Sequence, residues 1–276
     1  YLRVLALSDD CRTVVLGHWR ARHVHIVRLR AGLRYVEADD VLDLPPGMAD
    51  AQSGVCVPGG QWVLAGCWRG LVGINMHNGD VRTVARWPDG RGAFVDASAV
   101  SPCGTMAAFG RDNGTIVVIR ERDGALPGLR VDARTIRVDA PVHSVSFSAC
   151  GRHIAVGGLD GRVVVYGAHM GEQERVVAEK CHRSRTFAAY TPGGDTLVHT
   201  QPDGRLCWSC DPTLPGIDAA HVDISLLVDA HGQVASAFVI SAARNTGVGD
   251  DRMRMRKCAG PSPVVVVTCA RGVQVV

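Results

Sequence analysis

A unit of three short strands and two tight turns recurs about every 45 residues, and this repeat constrains the fold more than any other feature. Its clearest copy is VHSVSFSACGRHIAVGGLDGRVVVYG, residues 142–167. There the pattern predicts a first strand, a turn at 149–151, a second strand at 153–157, a tight turn at Asp160-Gly161 and a third strand at 162–166. The copy is therefore expected to form a three-stranded meander.

The same order occurs in SAVSPCGTMAAFGRDNGTIVVIR and AAYTPGGDTLVHTQPDGRLCWSC, and more loosely in VCVPGGQWVLAGCWRGLVGINM and LALSDDCRTVVLGHWRARHVHIV. The turn glycines of four successive copies, Gly70, Gly114, Gly161 and Gly204, are 44, 47 and 43 residues apart. This spacing is typical of one four-stranded β-propeller blade per repeat. The more polar segments between copies predict the fourth strands at 34–38, 81–85, 129–138 and 174–178.

Two further repeats are expected after Gly204. The sixth has strands at 223–228 and 234–240 and a turn at Asn245-Thr246-Gly247, and the seventh has strands at 252–257 and 264–268 and a turn at Arg271-Gly272. Because Gly247 and Gly272 are only 25 residues apart, one blade is incomplete. We therefore predict an all-β, seven-bladed propeller of four-stranded antiparallel blades, with six blades as the alternative if Gly247 is an ordinary loop glycine.

These repeats resemble the WD40 family. The resemblance rests on the Ser/Thr-Pro-x-Gly type of first turn, the small residues of the second strand, and the Asp-Gly or Asn-Gly turn before an apolar third strand. No Trp-Asp pair is present, and Trp208 and Tyr166 occupy the aromatic position that usually ends the third strand. The resemblance implies one propeller domain over 1–276, with blades that rely more on packing than on the family's buried polar network. A strand from outside 1–276 is expected to close the ring, so the sequence is expected to be a fragment of a longer chain.

Composition agrees with an ordinary globular β protein. The 276 residues are 46% hydrophobic and include 32 glycines but only two lysines and five glutamates, so good helix formers are scarce. A net charge of +3 is too small for a dedicated nucleic-acid binder. The ten cysteines show no regular framework, which favours reduced thiols in the cytoplasm or nucleus.

No catalytic or cofactor motif is found. The sequence has no Gly-x-Ser-x-Gly elbow, Walker loop, His-Glu-x-x-His pair or Gly-x-Gly-x-x-Gly fingerprint, so no enzyme activity, metal or cofactor is predicted. Cys207 and Cys210 form the one Cys-x-x-Cys, but a strand directs residues three apart to opposite faces, which favours structural thiols over zinc.

Two other groups of candidate metal ligands have simpler explanations. His23 and His25, with His18 nearby, have a spacing that a metal ion can use, but a solvated strand face is favoured. The pairs Asp9-Asp10, Asp39-Asp40 and Asp250-Asp251 are predicted to lie in turns, where aspartate bonds the nearby backbone.

The function expected from these features is that of a non-enzymatic interaction platform. The first hypothesis is a WD40-like scaffold subunit of a multiprotein eukaryotic assembly, which binds proteins or peptide motifs through its loops and rim. The alternative is a propeller that binds RNA or an RNA–protein particle, and a propeller hydrolase with a central metal is the third. The candidate partner-binding residues are arginines that can contact carboxylates or phosphates: Arg183, Arg185, Arg205, Arg252, Arg254 and Arg256.

Overall fold

The computed structural model describes residues 2–8, 12–30, 36–121, 131–169, 171–178, 186–190, 196–200, 206–210, 220–222, 236–240, 264–269 and 272–275. Within these ranges every helix or strand is a β-strand, and all strand pairs are antiparallel. None of the described segments forms a helix capable of crossing a membrane. The all-β prediction is therefore confirmed.

The described strands form six sheets, and strands adjacent in sequence pair within each sheet. Blade 1 contains β1 (Leu2–Leu7), β2 (Thr13–His18), β3 (His23–Leu29) and β4 (Val36–Asp43). Blade 2 contains β5 (Ser53–Cys56), β6 (Trp62–Cys67), β7 (Gly70–Asn75) and β8 (Val81–Arg86). Blade 3 contains β9 (Val95–Val100), β10 (Met106–Arg111), β11 (Thr115–Glu121) and β12 (Val131–Arg137).

Two more four-stranded sheets and one three-stranded sheet follow. Blade 4 contains β13 (Val142–Phe147), β14 (His153–Gly158), β15 (Val163–Gly167) and β16 (Gln173–Ala178). Blade 5 contains β17 (Ala188–Tyr190), β18 (Thr196–Thr200), β19 (Leu206–Cys210) and β20 (Ala220–Val222). The last sheet contains β21 (Ser236–Ile240), β22 (Val264–Cys269) and β23 (Gly272–Val275).

The first strands of successive blades pack against one another in chain order, from β1 to β5, β9, β13 and β17. Serines connect several of these strands. The Ser53 and Ser98 hydroxyl oxygens are 2.8 Å apart, the Ala188 backbone N–H donates to Ser144 Oγ over 2.9 Å, and the Tyr190 N–H donates to Ser146 Oγ over 2.9 Å. The partners are 44 or 45 residues apart, so residues separated by one sequence repeat contact each other between neighbouring blades.

Hydrophobic cores fill the spaces between neighbouring blades. Separate clusters lie between blades 1 and 2, blades 2 and 3, blades 3 and 4, and blades 4 and 5. In β6, Val63 and Ala65 pack toward blade 1 whereas Leu64 packs toward blade 3. Both faces of an inner strand are thus buried, which explains why these strands are almost continuously apolar.

A glycine recurs as the penultimate residue of the second strand in blades 1 to 4: Gly17, Gly66, Gly110 and Gly157. A Cβ at Gly17 would lie 2.1 Å from the Ala51 carbonyl oxygen, and one at Gly110 would lie 2.2 Å from a methyl carbon of Val142. These glycines let the chain entering the next blade approach closely. The small residues noted in the second strand of the repeat therefore have a packing function.

The fourth-strand predictions succeed in blades 2, 3 and 4, where β8, β12 and β16 overlap the predicted segments closely. The prediction at 34–38 is wrong in extent, because β4 continues to Asp43. Asp39 and Asp40 therefore lie in a strand and not in a turn. This outer strand tolerates acidic residues because Asp39 accepts from His25 over 3.0 Å and Asp40 pairs with Arg28.

The last sheet differs from the predicted division into two repeats. Strands β21 and β22, which correspond to the predicted segments 234–240 and 264–268, pair directly with each other from Ser236↔Thr268 to Ile240↔Val264. Two segments assigned to successive repeats thus share one sheet. The predicted strands at 223–228 and 252–257 and the turn at Gly247 lie outside the described residues.

Candidate protein-interaction surface

The six arginines proposed from the sequence as partner-binding residues lie outside the described residues: Arg183, Arg185, Arg205, Arg252, Arg254 and Arg256. The same is true of Asp9-Asp10 and Asp250-Asp251. Cys207 and Cys210 both fall on β19, the strand expected to carry them. The proposal for these arginines remains a prediction, and the candidate surface is built from other residues.

The three histidines of blade 1 form a row across β2 and β3. The ring centroids of His18 and His23 are 6.2 Å apart, and those of His23 and His25 are 5.4 Å apart. His25 Nδ1 lies 3.0 Å from Asp39 Oδ1. In the part of the chain that the structure describes, no three His, Cys, Asp or Glu side chains are grouped so as to hold a metal ion.

Cys103 and Cys150 occupy equivalent turns between the first and second strands of blades 3 and 4. Ser101 Oγ accepts from the Met106 N–H over 3.0 Å, and Ser148 Oγ accepts from the His153 N–H over 3.1 Å, so the two turns are built alike. Both cysteines are exposed free thiols. Hydrogen bonds from Ser101 and Thr105 lower the pKa of Cys103.

The opposite end of the blades carries a more distinctive group of side chains. Here the turn between the second and third strands of each blade meets the loop that leads to the next blade. In blade 1 this turn contains Trp19 and Arg20, and in blade 2 it contains Trp68 and Arg69. We call this the turn end of the propeller.

Backbone hydrogen bonds connect the turns and loops at the turn end of blades 1 and 2. The Asp50 N–H donates to the Ala21 carbonyl over 3.1 Å, and the Trp68 N–H donates to the Ala49 carbonyl over 2.9 Å. The Ala93 N–H in turn donates to the Trp68 carbonyl over 3.0 Å. The backbone that supports these side chains is therefore continuous and fixed across two blades.

Trp19 and Arg20 lie at the outermost point of the blade 1 turn. Trp19 is 41% exposed, and the Arg20 guanidinium carbon lies 4.6 Å from the centre of its ring. The Ala21 N–H donates to the His18 carbonyl over 3.2 Å, which makes Arg20 the third residue of a four-residue turn. Its φ of +61° is one that glycine favours at this position. The turn therefore holds an arginine where the backbone favours a glycine.

Asp50 holds this strained turn in place. The Arg20 backbone N–H donates to the Asp50 carboxylate, and Asp50 itself has a φ of +56°. Arg20 and Asp50 are the only non-glycine residues with positive φ among those that the structure describes. Strained residues of this kind persist when their surroundings hold them, and they cluster at functional sites.

Trp68 forms a more buried part of the same surface. Its ring packs edge-on against Phe94, with 4.6 Å between the ring centroids, and a Cβ at Gly92 would lie 2.0 Å from its indole nitrogen. The Trp87 indole N–H lies 3.0 Å from the Cys67 carbonyl oxygen and 3.1 Å from that of Trp68. Burial, with the nearby Asp50 charge, raises the pKa of the Cys67 thiol to about 12, so this thiol is a packing group.

Arg111 anchors the loop after blade 2 to blade 3. Its side chain is fully buried, and its Nη1 atom donates to Asp89 over 3.0 Å and to Thr115 Oγ1 over 3.2 Å. Its Nη2 atom donates to the Arg91 carbonyl over 2.7 Å. Partial burial acts to raise the pKa of Asp89, but the hydrogen bonds and positive charge of Arg111, with the Arg91 N–H, outweigh it and lower that pKa.

The exposed charge at this end of blades 1 and 2 is largely basic. Arg20, Arg22, Arg69 and Arg91 are exposed, and none forms an ion pair with a carboxylate that the structure describes. Asp43 is also exposed at this end and offsets part of the charge. We define the aromatic–arginine surface as Trp19, Arg20, Arg22, Trp68, Arg69 and Arg91.

Sequence reasoning recognised the two repeat copies and the turn glycine Gly70 but missed these side chains. The signal was present, because the Trp-Arg dipeptide occurs twice at equivalent turn positions, as Trp19-Arg20 and Trp68-Arg69. Two cavities lined by described residues of blades 3 and 4 have volumes of about 30 and about 120 Å³. Small-molecule sites are usually ~300 Å³ or more, so the exposed surface is a better candidate for a binding site than either of these cavities.

Comparison with known families agrees with this architecture. Residues 133–167 match the family described as WD domain, G-beta repeat. The match begins in β12, the outer strand of blade 3, and continues through the first three strands of blade 4. No curated protein matches the sequence significantly. The chain thus contains a WD40 repeat, and its four-stranded antiparallel sheets are those of WD40-like β-propeller blades, which supports a protein-interaction scaffold as the kind of function.

Proposed function

We propose that this chain is a single non-enzymatic propeller domain, a scaffold subunit of a multiprotein eukaryotic assembly in the cytoplasm or nucleus, and that it binds partners through the turn end of blades 1 and 2. The observation that carries the proposal is the aromatic–arginine surface, which lies on WD40-like blades. Tryptophan and arginine are enriched among the residues that contribute most to protein–protein binding.

The rigid backbone under this surface supports the proposal. A surface already held in one conformation loses little conformational entropy when a partner binds. The backbone hydrogen bonds between Ala21, Asp50, Ala49 and Trp68 provide this rigidity in blades 1 and 2. Arg111 extends it to blade 3 through Asp89 and the Arg91 carbonyl.

Affinity purification of the tagged full-length protein, followed by mass spectrometry, tests the proposal. The wild type is compared with the double variant Arg20→Glu/Arg69→Glu, at low and high salt and with nuclease treatment. The matched control is Arg30→Glu/Arg120→Glu, which reverses the charge of two exposed arginines at the opposite end of blades 1 and 3.

We expect a defined set of proteins that survives nuclease and salt, is retained by the control and is reduced by the surface variant. A set that the surface variant retains in full contradicts the assignment of this surface. Loss of all partners on nuclease treatment favours the alternative, in which the propeller binds RNA or an RNA–protein particle. A protein without partners contradicts the scaffold function.

A further inference from the structure

We propose that the aromatic–arginine surface binds a segment of a partner protein rich in aspartate and glutamate. This inference rests on the proposed scaffold function and specifies the chemistry of the partner. It depends on three observations: the unpaired guanidiniums, the stacking of Arg20 on Trp19, and the shortage of exposed aromatic faces.

Two of the carboxylates near the surface are already engaged, and a third, Asp43, is exposed. Asp50 accepts from the backbone N–H of Arg20, and Asp89 is held by Arg111. Arg22, Arg69 and Arg91 are therefore left without an ion-pair partner among the described residues. A guanidinium group presents a planar set of donors that matches a carboxylate in a two-point contact. The surface thus offers several guanidinium hydrogen-bond donors, and a partner can supply the carboxylate acceptors.

The stacking of Arg20 on Trp19 prepares one of these donors. With its Cζ atom 4.6 Å from the ring centre, the guanidinium lies over an aromatic face and keeps its edges available for hydrogen bonds. The exposed part of Trp19 beside it can pack against an apolar side chain of the same segment. A segment with acidic and apolar residues close together therefore fits this pair better than a uniformly acidic one.

Single-stranded nucleic acid fits the surface less well. Proteins that bind it usually stack successive bases on several aromatic side chains. Among the tryptophans whose side chains the structure describes, Trp19 alone is exposed. Trp62 and Trp68 are half-buried, with Arg82 over the ring of Trp62 and Phe94 against that of Trp68, and Trp87 is buried. The surface therefore offers one exposed aromatic ring for base stacking, whereas its separate guanidiniums suit the spaced carboxylates of a peptide.

Fluorescence polarisation with defined probes tests the inference on the full chain. The first probe is a fluorescein-labelled peptide of four Asp-Glu-Leu repeats. The second is its uncharged counterpart of four Asn-Gln-Leu repeats, and the third is a labelled RNA of twelve uridines. Each is titrated with the wild type, with Arg20→Glu/Arg69→Glu, and with the control Arg30→Glu/Arg120→Glu.

We expect the acidic peptide to bind the wild type at least about tenfold more tightly than either other probe. The surface variant should bind the acidic peptide at least about tenfold more weakly than the wild type. The affinity of the control variant should differ from that of the wild type by less than about twofold. Trp19→Ala, which leaves the charges in place, should weaken binding of the acidic peptide. The variant should still bind the acidic peptide more tightly than the uncharged one.

With the wild type, three results overturn the inference: no binding of the acidic peptide, equal binding of the uncharged peptide, or tighter binding of the RNA. Retention of acidic-peptide binding by the surface variant also overturns it. The proposed scaffold function fails separately, when affinity purification yields no nuclease-resistant partners. If partners are retained on purification but the acidic peptide does not bind, the scaffold function stands and this partner chemistry is wrong.

Discussion

The turn ends of blades 1 and 2 differ from those of blades 3 and 4, although the repeat places the same turn in each. In blades 3 and 4 the turns contain Asp112, Asn113 and Gly114, and Asp160 and Gly161. Gly114 and Gly161 take the positive φ values, +75° and +88°. In blade 1 the positive φ falls on Arg20 instead. Blades 3 and 4 thus use residues that suit the turn, whereas blade 1 places an exposed arginine in a strained one.

The charges follow the same division. In blade 4, Arg162 lies 2.8 Å from Asp139 and 3.7 Å from Asp160, so its charge is compensated by neighbouring carboxylates. Asp112 in blade 3 accepts from the Phe94 N–H over 3.0 Å. At the turn end of blades 1 and 2, Arg20, Arg22, Arg69 and Arg91 have no such partner among the described residues. The same repeat thus pairs Arg162 with carboxylates in blade 4 and leaves Arg20 and Arg69 without an ion pair among the described residues in blades 1 and 2.

Removal of Arg111, which joins the two regions, should have the largest effect. We expect Arg111→Ala to lower the free energy of unfolding by about 3 kcal/mol, because it deletes a fully buried side chain and removes the guanidinium that donates to Asp89 and to the Arg91 carbonyl. Chemical denaturation measures the loss. The control Arg137→Ala removes an exposed arginine from the same blade and should change stability by less than about 0.5 kcal/mol. Equal effects of the two variants would show that Arg111 is not an anchor.

A matched pair of glycine substitutions separates packing from binding. Gly17→Ala places a Cβ 2.1 Å from the Ala51 carbonyl oxygen, and Gly157→Ala places one 2.4 Å from the Thr186 carbonyl oxygen. Because a backbone atom must move in both, each should cost about 2 kcal/mol by chemical denaturation. Only Gly17→Ala displaces the chain beside Asp50 and the blade 1 turn, so this variant alone should bind the acidic peptide more weakly. Equal loss of binding in both variants would refute a local role for this turn.

The sequence predicted the inner strands well for a physical reason. Strands such as β6, β10 and β15 are buried on both faces and bounded by turns with glycine, so local pattern and tertiary packing agree. Strand β4 was harder to predict, because its Asp39 and Asp40 are typical of turns. They lie in a strand because β4 pairs with β3, where His25 and Arg28 contact the two carboxylates. Contacts between distant residues decide such a case.

The site was harder to predict than the fold. Arg20 and Asp50 are 30 residues apart, and only the packing of blade 1 against the following loop brings them together. Alternation along the sequence instead favoured Arg252, Arg254 and Arg256, which lie outside the described residues and stay a prediction. The repeated Trp-Arg dipeptide is a local signal, but its meaning depends on knowing that both copies occupy equivalent turns.

A reciprocal exchange of turn residues should have a smaller effect on stability and tests the comparison directly. Arg20→Gly gives the blade 1 turn the residue that its φ favours, so we expect no loss of stability but at least about tenfold weaker binding of the acidic peptide. Gly114→Arg does the opposite in blade 3. It should cost about 1–2 kcal/mol, because φ is +75° and the new Cβ would lie 2.9 Å from the Val138 carbonyl oxygen. Thermal unfolding and fluorescence polarisation measure the two effects. A destabilised Arg20→Gly variant would show that the blade 1 turn is not strained.

The smallest expected effect is a pH dependence of the free energy of unfolding. It has opposite signs for Asp89, in the loop after blade 2, and for Asp112, in blade 3. The pKa of Asp89 is lowered in the folded protein, so its contribution to stability is present above its unfolded pKa and is lost as the pH falls through the lower, folded value. Burial, together with Asp96, raises the pKa of Asp112, and the Phe94 hydrogen bond offsets this only in part. Asp112 therefore lowers stability as the pH rises from its unfolded pKa through its raised folded value.

Amide variants separate the two signs, because each keeps an oxygen acceptor and removes the charge. Asp89→Asn should reduce stability at neutral pH and converge with the wild type in acid. Asp112→Asn should be slightly more stable than the wild type at neutral pH, and the two stabilities should become equal in acid. The Phe94 N–H still has an oxygen acceptor in this variant. Denaturation curves at a series of pH values measure both differences. If both amides shift stability in the same direction at neutral pH, the two carboxylates do not differ in the way expected of Asp89, which Arg111 anchors, and Asp112, which is half-buried.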